Sequence, residues 1–128
     1  MIDLVTVRQW LESFGWSAEE LDPQTLRIIC PHLPDLPFFA RCSQNWLMLA
    51  VVPVLAHDAH LPGDISRRLL AVNRDLRLAK FAYDDDNDIA LTAELPTESL
   101  DVSELRDVVN RMAKYVDHYR GYLTDWAT

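Results

Sequence analysis

Apolar residues recur at Leu4, Val7, Leu11 and Phe14, three or four positions apart, which is the spacing of one helical face. This predicts a helix over about Asp3 to Phe14, with Gly15 where a left-handed residue would end it. Residues 16–24 are polar, contain Pro23 and read as a connection. The period then shortens. Thr25 to Pro31, Phe38 to Ser43 and Trp46 to Val54 are short runs rich in Ile, Val, Phe and Leu, separated by Leu33-Pro34-Asp35-Leu36-Pro37 and by Ser43-Gln44-Asn45. They predict a three-strand meander. A two-residue loop at Gln44-Asn45 would set Cys42, Ala40 and Phe38 on one face with Leu47, Leu49 and Val51. The opposite face would carry Trp46, Met48, Ala50 and Val52 beside Phe39 and Arg41. The third strand is thus apolar on both sides, so something should cover both faces of the sheet there.

Pro62-Gly63-Asp64 opens a second helix through about Leu76, with Asp64 as N-cap and Ile65, Leu69, Val72 and Leu76 along one stripe. Leu78 to Tyr83 and Ile89 to Leu95 follow as strands, joined by Asp84-Asp85-Asp86-Asn87-Asp88. With Asn87 left-handed, Tyr83, Phe81 and Ala79 would stand opposite Ile89, Leu91 and Ala93. Asp101 then starts the longest helix, with Glu104 placed as in a capping box and Leu100 and Leu105 as a hydrophobic staple. Its stripe runs Leu105, Val108, Val109, Met112, Val116, Tyr119 and Leu123; Glu104, Arg106, Asp107, Arg111, Lys114 and Asp117 form a charged face. The predicted fold class is α+β, with a twisted antiparallel sheet and the order α-β-β-β-α-β-β-α, in one domain spanning 1–128.

Composition sharpens this picture. With 128 residues, 49% hydrophobic and 25% charged, the chain fits one globular core. Twenty acidic residues against twelve basic give a net charge of −8, a field that repels phosphates, so no nucleic-acid or anionic-membrane partner is expected. Neither a signal peptide nor an apolar run long enough to span a bilayer is visible, which makes the cytoplasm the expected location.

Candidate chemistry is sparse. Asp84, Asp86 and Asp88 alternate like the first ligands of a calcium loop, but Ile89 stands where that loop needs Gly and Leu95 where it needs Glu, so the run reads as a solvated turn. His57, Asp58 and His60, with Cys30, His32 and Cys42, match no zinc spacing. No metal and no cofactor are expected. If the hairpin is centred on Leu36, Cys30 and Cys42 face each other on adjacent strands, and in a reducing compartment they should pack as thiols. No nucleophile elbow, phosphate loop or dinucleotide fingerprint occurs. The remaining enzymatic alternative is a small enzyme using the His57-Asp58-Ala59-His60 loop. Arg67, Arg68, Arg74, Arg77 and Lys80 form a locally basic stretch suited to pairing with carboxylates, within the chain or on a partner. Phe39, Trp46, Met48 and Val52 are the more informative set. Either the protomer covers them, or they form an apolar patch of the kind that marks a binding surface.

Leu69-Leu70-Ala71-Val72-Asn73-Arg74-Asp75-Leu76-Arg77-Leu78-Ala79-Lys80-Phe81, followed by Ile89 to Pro96 and the helix from Asp101, resembles the YbjN-like family, which shares the class I type III secretion chaperone fold. The resemblance implies the same order of elements and a non-enzymatic, dimeric protein- or peptide-binding module with a regulatory or stress-related role. A secretion chaperone for an effector is the alternative within that fold. A homodimer is expected, with Leu69, Leu70 and Val72 as its contact. Phe39, Trp46, Met48 and Val52 are expected to hold an extended segment of a protein partner, by strand addition at an open sheet edge.

Overall fold

The computed structural model describes residues 2–125. Its elements are α1 (Leu4–Ser13), β1 (Ser17–Asp22), β2 (Thr25–Cys30), β3 (Leu33–Ser43), β4 (Trp46–Leu55), α2 (Ile65–Asn73), β5 (Lys80–Tyr83), β6 (Ile89–Pro96) and α3 (Val102–Thr124). The six strands form one antiparallel sheet in the order β1-β2-β3-β4-β6-β5. The α+β class with an antiparallel sheet stands, and the expected order gains one strand.

That strand is β1, in the stretch expected to be a connection. Asp3 caps α1 by accepting the Thr6 N–H at 2.9 Å. At the other end Gly15, at φ +91°, lets the Trp16 N–H reach the Leu11 carbonyl at 3.0 Å and its own N–H reach Glu12 at 3.2 Å. This reversal sends the chain back along β2. Trp16 meets Phe14 and Phe38 edge-on, each at 6.2 Å, and fixes the angle of departure.

Prolines misled the expectation for 33–37 as well. Pro34 and Pro37 are carried inside β3, beyond the point where it pairs with β4, in the extended conformation that proline favours. The turn before β3 therefore falls at Pro31-His32, and Cys30 pairs with Leu33. Cys30 and Cys42 do not face each other as the hairpin centred on Leu36 would require; both are free thiols, Cys30 buried and Cys42 half-buried.

The β3–β4 register is the one expected: Phe38 opposite Val51, Ala40 opposite Leu49, Cys42 opposite Leu47, across Gln44-Asn45. Phe81 opposite Leu91 and Tyr83 opposite Ile89, with Asn87 at φ +63°, likewise match. One face of the sheet thus presents Ile28, Phe38, Val51, Leu91 and Phe81 in a row across the strands, all buried. Onto it pack Val7 and Leu11 of α1 and the α3 stripe Leu105, Val108, Val109, Met112, Val116 and Leu123. Asp101 Oδ1 accepts the Glu104 N–H at 2.9 Å and fixes the start of α3.

In α2 the Leu69 and Val72 side chains join this core. Asp64 sits at the N-cap without a side-chain cap bond; its carboxylate takes the Arg68 Nε at 3.0 Å instead.

Candidate functional site

The sheet's other face is not covered within the protomer, which decides between the two expected alternatives in favour of an open apolar patch. β4 alternates from Trp46 to Val52: Leu47, Leu49 and Val51 are buried, whereas Trp46 is 46% and Met48 38% exposed; past the irregularity at Pro53 the buried position shifts to Val54. Phe39 and Val52 are half-buried beside them. Register joins the four: Phe39 pairs with Ala50, between Met48 and Val52 on the same strand. The four candidate partner-binding residues therefore lie on one continuous apolar strip.

The strip's position changes the chemistry it can offer. From Trp46 to Val51, β4 is bonded to β3 on one side and to β6 on the other, so its backbone groups there are taken and strand addition beside Trp46 and Met48 is excluded. The edges are β1 and β5. On β5, the Asn73 side chain occupies the outward groups of Phe81, donating to its carbonyl at 2.9 Å and accepting its N–H at 2.7 Å. That blunts the edge. A segment held by the strip would lie across the sheet and bind through side chains.

Of the three residues expected at a dimer contact, Leu69 and Val72 belong to the protomer's own core, and Leu70 is 72% exposed. Between α2 and α3, beginning at the next residue, lies a depression of about 430 Å³ lined by Ala71, Val72, Arg74, Asp75, His118, Tyr119 and Tyr122, which Leu70 itself does not line.

The basic stretch does not act as a unit. Arg68 is buried; its NH1 donates to the Tyr122 carbonyl at 2.8 Å and to that of Asp125, and its guanidinium lies 5.5 Å from the Tyr122 ring centre. Lys80 Nζ closes the end of α2 on the Asn73 and Leu76 carbonyls, both at 2.7 Å. Arg74 stands 3.7 Å from Asp75.

The histidine loop is a tie. The His57 N–H reaches Asp88 Oδ1 at 2.6 Å, and its Nδ1 lies 2.9 Å from the same oxygen. The hydrogen bond to Asp88 raises the imidazole pKa above its ordinary 6.5, and the His57 backbone N–H, with its ring, lowers that of Asp88 below 3.8. Asp58 and His60 are exposed on the same loop. Asp84, Asp86 and Asp88 do bring oxygens within 4.8 Å of one another. Asp84 Oδ1, however, accepts the N–H groups of Asp86 and Asp88, both at 2.9 Å, as a turn-forming aspartate does.

A groove of about 700 Å³ between α1 and the ends of β1–β3 was not foreseen. Ile2, Leu4, Val5, Leu26 and Cys42 line it, and burial followed by the charge of Asp3 pushes the Cys42 thiol pKa up. Its sequence signal is Val5, 64% exposed just off the apolar stripe of α1.

Among the described residues no helix is long and apolar enough to cross a membrane. Comparison with known proteins gives a consistent picture. The profile of a family described as T3SS (YopN, CesT) and YbjN peptide-binding chaperone 1 matches residues 32–125. No curated protein matches the chain in sequence. The fold is shared with a chain of the heterodimeric ExoU–SpcU complex from the type III secretion system of Pseudomonas aeruginosa, at TM-score 0.69 and 22% identity over 91% of this chain and 97% of that one. It is shared with YbjN, a putative transcription regulator from E. coli, at TM-score 0.66 and 18% identity over 94% and 93%. A chain of the HopA1–SchA chaperone–effector complex superposes at TM-score 0.66 and 14% identity over 94% and 98%.

Proposed function

Since the chain belongs to the T3SS (YopN, CesT) and YbjN peptide-binding chaperone family, we propose that it is a non-enzymatic module that holds a segment of another protein on the strip Phe39-Trp46-Met48-Val52. The supporting observation is Trp46 and Met48 standing open on an inner strand whose alternate residues fill the core. Solvent-exposed Trp and Met at the centre of a sheet cost solubility without aiding the fold, and such side chains dominate binding hot spots. The proposal includes a homodimer in the cytoplasm, built about Leu70 and the depression beside it. In a two-fold contact each copy's Leu70 would seat beside the other's Tyr119 and Tyr122.

Two solved complexes of this fold support the protein-partner reading, one described as a chaperone–effector complex and the other as part of a type III secretion system. YbjN, described as a putative transcription regulator, supports a regulatory variant of it. The apolar strip serves either.

The test is affinity capture with Trp46→Ala beside wild type and Arg67→Ala. Trp46→Ala should fold normally and lose the partner, while Arg67→Ala keeps it. Retention of the partner by folded Trp46→Ala would place the site elsewhere, and the groove beside Cys42 would then be the next surface to probe.

A further inference from the structure

Across the middle of the apolar strip, register sets three residues in line: Arg41 on β3, Met48 on β4 and Glu94 on β6. All three are exposed. The Arg41 guanidinium bonds the neutral side-chain oxygen of Gln24 at 3.0 Å, and among the described residues neither it nor Glu94 makes an ion pair. Elsewhere on the same face Arg27 has Glu19 at 3.7 Å, and Lys80 is held by the carbonyls of Asn73 and Leu76. Arg41 and Glu94 are thus opposite charges kept apart by the apolar residue between them, in a place where a bound chain would cover all three.

We propose that this row reads charge in the bound segment, so that the strip takes a partner chain with an acidic residue, an apolar residue and a basic residue at alternate positions, seated on Arg41, Met48 and Glu94. The inference rests on the strip being the partner-binding surface. Alternate residues of an extended chain point the same way, so an acid-x-apolar-x-base segment offers all three side chains to the sheet at once. Its charged ends lie about 13 Å apart, and the backbones of β3 and β6 about 10 Å apart across β4. The long Arg41 and Glu94 side chains cover the difference by leaning outward. An extended chain can run either way across the row, so the arrangement selects charge pattern rather than direction.

The probe is a fluorescein-labelled peptide of about 14 residues, alternating leucine with serine and centred on Glu-Ser-Leu-Ser-Lys, against the same peptide centred on Gln-Ser-Leu-Ser-Gln. Fluorescence anisotropy should give the charged peptide an advantage of about fivefold at low salt, the yield of two exposed pairs. Near 0.5 M salt, roughly, the advantage should vanish. Arg41→Glu should abolish it, and Arg41→Glu combined with Glu94→Arg should restore it, because the peptide seats in the reverse sense. Equal affinity for the two peptides, with both weakened by Trp46→Ala, overturns charge reading and leaves the apolar strip as the binding surface. If neither peptide binds, both proposals fall. Self-association by light scattering that is lost in Arg41→Glu and regained in the double variant would assign the row to a second copy of this chain and overturn the peptide as its occupant.

Discussion

Arg68→Ala is the sharpest test of how the two C-terminal helices are joined. The side chain is buried, and its contacts among the described residues include an ion pair, a ring and two carbonyls. Asp64 is 54% exposed, so the ion pair at 3.0 Å contributes at most about 1 kcal/mol. The Tyr122 ring, 5.5 Å away, adds roughly 0.5–1 kcal/mol. The bonds to the Tyr122 and Asp125 carbonyls dominate, since each hydrogen bond to a charged donor contributes about 1.5–3 kcal/mol. Tyr122 is exposed and Asp125 partly so, and their carbonyls would regain water in the variant, which favours the low end. The sum is a loss of about 4 kcal/mol. With a urea slope of about 1.5 kcal/mol per M, the midpoint should fall by about 2.7 M. Arg68→Met restores the packed stem without the carbonyl bonds and should recover roughly a third of the loss. Arg67→Ala, on the exposed side of α2, should move the midpoint by under about 0.3 M. If Arg68→Ala falls within the Arg67→Ala range, the carbonyl bonds hold nothing together and the account of this joint is wrong.

Met112→Ala, fully buried in α3, should cost about 2–5 kcal/mol through a cavity, against about 1 kcal/mol for Asp101→Ala through the lost cap; the same urea curves rank them. His57 should titrate above 6.5 by NMR, and Asp88→Asn should bring it back down. Because the His57 pKa is raised on folding, the tie's contribution is complete below pH 6.5 and fades as pH rises through the raised value; because that of Asp88 is lowered, the contribution also fades as pH falls from 3.8 through the depressed value. Leu70→Asp should convert the proposed dimer to a folded monomer by light scattering, and a monomeric wild type at micromolar concentration would refute the dimer.

Where alternation is strong and the turn is short, the sequence was readable to the residue. Phe38 opposite Val51 and Tyr83 opposite Ile89 followed from period-two hydrophobicity anchored on Gln44-Asn45 and Asn87. The missed strand has no such alternation. Its inward positions are Ala18 and Glu20, and only Ala18 is buried, because the strand is an edge that contributes little to the core. The apolar strip was legible as a set of residues but not as open, since periodicity reports an apolar side and not what covers it. Its place on an inner strand was hidden too, because β4 acquires its second neighbour from β6, far along the chain. Arg68 carried a signal that its charge obscured: it lies three residues after Ile65 and four before Val72, on the buried stripe itself. By the same spacing Leu69 and Val72 were already committed to the core.

The sheet order also bears on how the chain reaches its fold. From α1 to the end of β4 every pairing joins consecutive strands through a short turn, so that half can assemble from local hairpins. β6 must instead find β4 after an excursion of roughly thirty residues through α2 and β5, a closure with a substantial entropic cost before any pairing offsets it. The β4–β6 seam should therefore form late, with low φ-values for truncations of Leu91 relative to those of Phe38. Until it forms, the edges that β4 and β6 turn toward each other are unpaired and Trp46-to-Leu55 is an edge strand. This places the chain's greatest risk of aggregation during synthesis at the strand that carries the proposed binding strip.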